Sequence, residues 1–348
     1  MDGSAMDVVI NDDTKLPSLS SGKQSVASAE RTVVLVGRTG NGKSATGNSI
    51  LGRRAFKSRA SSSGVTKTTE LQRTELKDGQ IINVIDTPGL FDFSAESEFV
   101  GKEIVKCIKL AKDGIHAILV VFSVTNRFSQ EEQAAVLTLQ SLFGRKIVDY
   151  MIVVFTGGDA LEENEETLEE YLGRECPDPL KNILALCENR RVLFDNKTMD
   201  ETKRAKQVAE LLSLVNRVIA QNGGQPYTDE IFAEVKGAMK HHEQQVEVDS
   251  LKGYSKREIA VLKAEIERSY EDQLKKISEM LELKLIEATR KLENQLMEEQ
   301  AARLKLELDA QDDQGKSNEE IRRLNENIQR ANMENKRLRE RLEKCPIL

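Results

Sequence analysis

Gly37-Arg38-Thr39-Gly40-Asn41-Gly42-Lys43-Ser44 is a complete phosphate-binding loop of the pattern GxxxxGK(S/T). It follows the apolar run at 32–36 directly and precedes a stretch that can form a helix. The glycines let the backbone curl so that N–H groups point at phosphate oxygens, Lys43 adds charge near the β and γ phosphates, and the Ser44 hydroxyl can ligate Mg²⁺. The N-terminal end of the helix carries positive charge toward the same anion. The sequence therefore predicts nucleotide contacts along this loop and on to Ala45.

A second nucleotide-binding element is expected at the end of another buried strand. The run at 81–85 leads into Asp86-Thr87-Pro88-Gly89. Asp86 is predicted to hold the Mg²⁺ shell, and the Gly89 N–H to sense the γ-phosphate. The tetrapeptide alone is weak evidence, but a strand end after a phosphate loop is where a nucleotide-dependent switch needs it.

A Ser/Thr/Gly-rich segment at 58–69 lies between these two motifs. One of its hydroxyls could reach the metal when the γ-phosphate is bound, and Thr66 is the first candidate, with Thr68 and Thr69 as alternatives. The segment could also be a polar surface loop. We thus expect Ser44, Thr66 and Asp86 at the metal, and Lys43 and Thr66 in catalysis.

Base selectivity is predicted at a later strand end. The run at 150–155 leads into Thr156-Gly157-Gly158-Asp159. A carboxylate at Asp159 accepts from guanine N1 and N2 and meets adenine with the wrong pattern of donors and acceptors, so guanine is favoured. The commoner Asn-Lys-x-Asp signature is absent, so another group must replace the Lys that covers the base. The strand at 191–194 ends in Asp195-Asn196-Lys197, where Asn196 either closes over the base or belongs to a plain turn.

These motifs and one long box resemble those of a known family. The chain resembles the septin-like GTPases called immune-associated nucleotide-binding proteins in plants and GTPases of immunity-associated proteins in vertebrates. The resemblance covers about residues 30–235 and implies a guanine-nucleotide domain related to the chloroplast outer-envelope import receptors, often dimerising across the nucleotide face. The matching segments are GRTGNGKSATGNSILG at 37–52, SGVTKTTEL at 63–71, DTPGLFD at 86–92, HAILVVFSVTNRFSQEEQAAVLTLQSLFG at 116–144 and FTGGD at 155–159.

By motif match the resemblance implies Ser58 near the nucleotide, Asp159 and Asn196 on the base, and Arg127 reaching a partner's active site. A guanidinium there would neutralise charge on the transferring phosphate; the alternative is a solvated surface arginine. Leu90 follows Gly89 and cannot orient water as a glutamine would, so we expect slow intrinsic hydrolysis, raised by dimerisation or a partner.

Apolar runs alternate with helical patterns through the first two thirds of the chain, which predicts an α/β fold. Strands are expected at 32–36, 81–85, 116–122, 150–155 and 191–194, with helices at 98–111, 131–143, 168–172 and 203–220. This alternation is typical of a mainly parallel sheet covered by helices on both faces, with ligand loops at the strand C-terminal ends. We therefore expect a P-loop GTPase (G) domain at 30–235 after a disordered arm at 1–29.

The last third predicts a long helical extension at 236–343. All 10 phenylalanines of the chain precede this segment, which is charged and helix-forming. A break is expected at 312–315, and a heptad pattern follows it. The alternative to a parallel two-stranded coiled coil is a charged helix that folds back on its own G domain. Ile321, Ile328, Asn335 and Leu342 share one heptad position, and Leu324, Ala331 and Leu338 the other.

The final residues, 344–348, include a CaaX-type box in which Cys345 is the predicted lipidation site. Leu348 favours geranylgeranylation, whereas Pro346 departs from the aliphatic pattern. A basic cluster precedes Cys345, and either these residues or the avidity of a dimer would supply the second signal that stable anchoring requires. We expect a cytoplasmic protein on the cytosolic face of a membrane, either the plasma membrane or the endoplasmic reticulum.

The net charge of −7 excludes a basic field for nucleic acid, and no apolar run is long enough for a transmembrane helix. Cys107, Cys176 and Cys187 lack metal-ligand spacing and are expected to be reduced thiols.

Together these features predict a slow GTPase switch that uses GTP, GDP and Mg²⁺ and forms a homodimer through its G domain, its coiled coil or both. The resemblance implies a role in immune or stress responses. The alternative, favoured by Leu90, is a GTP-binding coiled-coil scaffold with negligible hydrolysis. A motor or transport ATPase is disfavoured by Asp159.

Overall fold

The structure is a computed structural model of the 348-residue chain, and it describes residues 30–58, 66–76, 79–90, 92, 96–246 and 256–343. The predicted arm at 1–29 and the CaaX box with Cys345 lie outside the described residues. Both stay predictions of the sequence.

A six-stranded sheet in the order β2-β3-β1-β4-β5-β6 lies at the centre of the described residues. β2 pairs antiparallel with β3, and every other neighbouring pair is parallel. Because β4 and β5 are buried along almost their whole length, they read as continuous apolar runs, as central parallel strands do. The strands are β1 Arg31–Val36, β2 Glu70–Glu75, β3 Ile81–Asp86, β4 Ala117–Ser123, β5 Met151–Thr156 and β6 Arg191–Phe194.

Helices connect the parallel strands and pack on the sheet, and a very long helix follows them. This arrangement confirms the predicted fold class of a mainly parallel sheet with helices and a long helical extension. Among the described residues, none of the helices is both long and apolar enough to cross a bilayer. The helices are α1 Lys43–Leu51, α2 Ser97–Leu110, α3 Gln130–Phe143, α4 Gly158–Glu163, α5 Leu168–Glu175, α6 Asp178–Leu186, α7 Glu201–Gln221, α8 Glu230–Val246 and α9 Lys256–Glu343, with a 3-10 helix at Arg145–Tyr150.

The first part of α9 packs on the preceding part of the chain, against α2, α3 and α8. Ile277, Leu281 and Leu285 of α9 belong to the main hydrophobic core. Gly101 of α2 permits a close approach, because a Cβ there would lie 2.9 Å from the backbone oxygen of Ser278. The first part of α9 therefore folds back on the chain's own globular part, which was the alternative to a coiled coil. Every residue from 297 to 341, in contrast, is exposed.

The predicted break at 312–315 was wrong, because α9 runs through it without interruption. A single interior glycine costs a helix only about 1 kcal/mol, and no proline is present to remove a hydrogen bond. Lys316 also lies 2.6 Å from the Asp312 carboxylate one turn earlier, a spacing that supports a helix.

The boundary predicted at 235–236 falls inside α8, which runs from Glu230 to Val246. The division into a G domain and a helical region stays a prediction.

Candidate nucleotide-binding site

The phosphate loop joins β1 to α1, and its glycines have positive φ angles. Gly37 has φ 144° and Gly42 has φ 91°, so neither position suits a residue with a Cβ. A Cβ on Gly37 would also lie 2.5 Å from the backbone oxygen of Val121. The loop thus curls between β1 and β4, and α1 begins at Lys43 immediately after it.

Lys43 is held by the loop itself. Its Nζ donates to the backbone oxygens of Gly37 at 2.8 Å and Arg38 at 3.0 Å. Burial lowers the pKa of Lys43 to about 8, against the opposing effect of the Asp86 and Asp92 carboxylates. A buried ammonium group with a lowered pKa is a site for an anion, because a phosphate beside it would compensate the lost hydration.

Three oxygen-bearing side chains meet at the end of this loop. Ser44 Oγ donates to Asp86 Oδ2 at 2.5 Å and lies 2.9 Å from Thr66 Oγ1, which lies 3.3 Å from the same carboxylate oxygen. Burial raises the pKa of Asp86, partly offset by the Ser44 hydrogen bond and the Lys43 charge. The other oxygen, Asp86 Oδ1, is buried and has no hydrogen-bond partner among the described residues.

This donor set fits Mg²⁺. Mg²⁺ prefers hard oxygen ligands and takes few of them from the protein when phosphates and waters supply the rest. Within the described ranges, no group of three or more His, Cys, Asp or Glu side chains forms a metal cage. The unpartnered Asp86 Oδ1 needs a partner that a hydrated cation would provide.

Thr66, rather than either alternative, lies at this cluster. Thr68 Oγ1 instead donates to Glu103 of α2 at 2.9 Å, and the backbone N–H of Thr69 donates to the same carboxylate. Glu103 therefore ties the segment before β2 to α2. Ser58 is exposed where the described segment 30–58 ends, and its role stays a prediction.

Gly89 lies against the phosphate loop, and its role as a γ-phosphate sensor stays a prediction. A Cβ there would overlap Thr39 Oγ1 and Asp92 Oδ2. The backbone N–H of Thr39 donates to Asp92 Oδ1 at 3.1 Å, which links the loop to the segment after Gly89. Leu90 is 5% exposed and packs in the core, so it offers the site no polar group.

The residues predicted at the base lie on neighbouring strand ends. Asp159 lies in the first turn of α4, which follows β5. Lys197 follows β6, and its Nζ lies 2.5 Å from the Asp159 carboxylate. Asn196 faces α1: its Nδ2 donates to Thr46 Oγ1 at 3.0 Å, and its Oδ1 accepts from Ser49 at 2.7 Å. The two β-strand ends and α1 therefore converge beside the phosphate loop.

Lys197 and Asp195 were not among the predicted site residues. The side chain of Lys197 is 81% exposed, so its stem is free to cover a base as the Lys of the commoner signature would. Burial alone would raise the pKa of Asp195, but hydrogen bonds from Lys203 and from the backbone of Lys197 and Thr198 outweigh it and lower the pKa. Asp195 thus fixes the turn that carries Asn196 and Lys197.

Glu132 of α3 was also missed. It closes a capping box with Ser129 at the start of α3, and its Oε1 accepts from Asn41 Nδ2 at 2.7 Å. Asn41 Nδ2 also donates to the backbone oxygen of Val121 at 2.9 Å, so this predicted nucleotide-contacting residue directs its side chain into the protein. The Ser-x-x-Glu pattern at 129–132 was the sequence signal that could have drawn attention to Glu132.

The two arginines near the site differ in their surroundings. Arg38 places Nε 2.6 Å from a carboxylate oxygen of Glu131 in the first turn of α3. Arg127 is exposed in the loop between β4 and α3, at the same edge of the sheet as the phosphate loop. Its predicted role with a partner stays a prediction.

Comparison with known proteins places this chain in a family. The model of the AIG1 family matches residues 31–246, which is more than half of the chain. The chain belongs to the AIG1 family.

Relatives of this AIG1-family chain include several proteins of Arabidopsis thaliana. It is 59% identical to immune-associated nucleotide-binding protein 9 over 322 residues, 92% of this chain and 94% of the relative. It is 53% identical to immune-associated nucleotide-binding protein 8 over 247 residues, 71% of this chain and 70% of the relative. A crystal structure of Toc33 from Arabidopsis thaliana in complex with GDP and Mg²⁺ matches with a TM-score of 0.44 and 21% identity, over 54% of this chain and 85% of that one.

Proposed function

We propose that this AIG1-family chain is a guanine-nucleotide-binding protein that binds GTP or GDP with Mg²⁺ and hydrolyses GTP slowly. The observation that carries the proposal is the convergence of Ser44, Thr66 and Asp86 beside the buried Lys43 ammonium group. The names of its relatives, which include nucleotide binding, support the same function.

Each part of the site has a distinct role in this proposal. The loop N–H groups and Lys43 bind the phosphates, while Ser44, Thr66 and Asp86 would hold Mg²⁺. When bound, the ion neutralises charge on the β and γ phosphates. Gly89 borders the phosphate loop closely enough for its N–H to respond to the presence of the γ-phosphate.

Guanine selectivity rests on Asp159. Its carboxylate accepts hydrogen bonds from the two donors on the guanine edge, and adenine lacks that pair of donors. Lys197 Nζ lies 2.5 Å from this carboxylate, and because the lysine side chain is 81% exposed, a ligand can replace this ion pair at small cost.

We expect slow hydrolysis because Leu90, the residue after Gly89, is apolar. Leu90 is buried and apolar, so the position that would orient the attacking water carries no polar group. We propose that pairing of two G domains across the nucleotide face brings Arg127 to the partner's phosphates and raises the rate. The exposed position of Arg127 at the edge of the site supports this role.

The cellular setting is also a proposal. The immune-associated names of the relatives support a role in immune or stress responses. Attachment to the cytosolic face of a membrane through Cys345 lies outside the described residues and rests on the sequence alone.

Equilibrium displacement of a fluorescent GDP analogue tests the proposed function. GTP and GDP should displace it, whereas ATP should compete at least about a hundredfold more weakly. Lys43→Met should abolish tight binding, and Lys57→Met, which removes an exposed lysine, should leave it unchanged. Equal competition by ATP, or full binding by Lys43→Met, would contradict the proposal.

A further inference from the structure

The outer part of α9 presents an apolar stripe that no other part of the described chain covers. From residue 297 to residue 341 every side chain is exposed, over a rod about 68 Å long. Ile321, Leu324, Ile328 and Leu338 are each at least half exposed. We define residues 321–342 as the outer stripe segment.

The apolar spacing along α9 changes where the helix leaves the G domain. The docked apolar residues follow spacings of 3, 4 and 4, a repeat of 11 residues that suits a nearly straight helix on a globular surface. The outer stripe follows spacings of 3, 4, 3 and 4, a repeat of seven residues. The docked set is Leu274, Ile277, Leu281, Leu285, Ala288, Leu292 and Leu296.

A heptad repeat is useful only to a helix that has another helix beside it. Seven residues fall short of two full turns, so the stripe stays in contact with a neighbour only if the two helices supercoil. Ile321 follows Leu285 by 36 residues, ten turns of helix, so the outer stripe continues the face that docks on the G domain. Beyond residue 297 the described domain no longer covers this face.

We propose that the outer stripe segment pairs with the same segment of a second copy of this chain, parallel and in register. β-Branched isoleucine at the first core position with leucine at the second is the combination that favours two parallel strands. Asn335 occupies a first core position and would pair with the Asn335 side chain of the second copy.

Charge and polarity select the parallel arrangement over the antiparallel one. In the parallel pair, Glu334 of one copy faces Arg339 of the other across the edge of the core. In an antiparallel pair that covers the same residues, Asn335 would lie opposite Leu324, and its amide would be left without a polar partner. This pairing of α9 helices does not require a bound nucleotide.

The length of the stripe sets the strength of the pairing. It extends over just more than three heptads, close to the minimum for a stable two-stranded coil. The pairing should therefore be reversible and depend on protein concentration.

Sedimentation of the full chain without added nucleotide tests the pairing. The wild type should dimerise, and Leu324→Lys combined with Ile328→Lys should raise the dimer dissociation constant at least about tenfold, since it places four charges in the core of the pair. The matched control is Met333→Lys, because Met333 is 60% exposed but lies on the outward side of the heptad. Leu324 and Ile328 both lie beyond the part of α9 that packs on the G domain, so the free energy of unfolding of that domain should not change.

Disulfide trapping tests the direction of the pairing. Ile321→Cys, in a chain with Cys176 and Cys345 replaced by serine, should give a disulfide-linked dimer under mild oxidation. Glu326→Cys, on the outward side of the same heptad, should not. A monomeric wild type, an equal effect of Met333→Lys, or failure of Ile321→Cys to cross-link would each overturn the proposal.

Discussion

The lowered pKa of Lys43 should make nucleotide binding depend on pH. Its ordinary pKa of 10.5 falls to about 8 in the folded protein, because burial removes water from the ammonium group. Between these two values the unfolded chain binds more protons, so the free energy of unfolding of the nucleotide-free protein rises with pH through that window. A bound phosphate favours the charged form, so binding above about pH 8 takes up a proton.

We therefore predict that GDP affinity falls as pH rises above about 8, by up to about tenfold per pH unit. Isothermal titration from about pH 7 to about pH 9 would measure the decline. Lys43→Met should bind weakly with a flatter profile. The same slope in wild type and Lys43→Met would show that another group titrates.

Asp159 should set the choice of base. Asp159→Asn replaces an acceptor pair with one acceptor and one donor, which matches the edge of xanthine rather than guanine. We expect GTP affinity to fall at least about tenfold and XTP affinity to rise, as measured by competition binding. Glu163→Gln, an exposed change on the same helix, is the control and should change neither. Unchanged GTP selectivity in Asp159→Asn would remove Asp159 from the base site.

Much of this site is visible in the sequence because its parts are local. The phosphate loop and Asp159 each follow a strand, Asp86 ends one, and parallel strand ends meet at one edge of a sheet. Glu132 and Lys197 are different, because their roles come from contacts with Asn41 and Asp159 that lie far away along the chain. A sequence pattern does not show which distant residue such a side chain contacts in the folded protein.

At the scale of elements, α3 is joined to the phosphate loop through one buried carboxylate. Glu132 accepts from Asn41 and caps the helix with Ser129. Glu132→Ala should lower the free energy of unfolding by about 1–3 kcal/mol, because one N–H of the Asn41 amide loses its partner and the Ser129 N–H loses its half of the capping box. Glu131→Ala removes a partly exposed pair with Arg38 and should cost less than about 1 kcal/mol. Equal losses in urea denaturation would contradict this link.

The docking of α9 depends on a glycine of α2. Gly101→Leu would place side-chain atoms against the Ser278 backbone, and overpacking of this kind costs about 1–3 kcal/mol. We predict faster amide hydrogen exchange over residues 274–292. Gly237→Leu, on α8 in open space, should leave exchange unchanged or slow it, because leucine is the better helix former. No difference between the two variants would mean that α9 docks without this contact.

The elements that the sequence predicted well are those with a strong apolar run or period. β1 and β3–β6 and the helices α2, α3 and α7 fall close to their predicted positions. β2 was not predicted, since Glu70-Leu71-Gln72-Arg73-Thr74-Glu75 is largely polar and lies at the sheet edge, where one side of the strand faces solvent. Its pairing with β3, not its own composition, makes it a strand.

At the scale of the whole molecule, we propose two separate surfaces for self-association. One is the proposed nucleotide face with Arg127, and the other is the outer stripe segment of α9. A parallel coil would hold two G domains near each other and raise their effective concentration, so weak pairing at the nucleotide face would suffice.

Single-turnover GTP hydrolysis by the full chain, measured over a wide range of protein concentration, tests the central claim most directly. We predict that the specific rate of the wild type rises at least about tenfold with concentration, because a partner's Arg127 stabilises charge on the transferring phosphate. Arg127→Ala should lose this rise, and Arg145→Ala, which removes another exposed arginine, should keep it. A flat and near-zero rate despite tight GTP binding would contradict the claim and favour a nucleotide-binding scaffold.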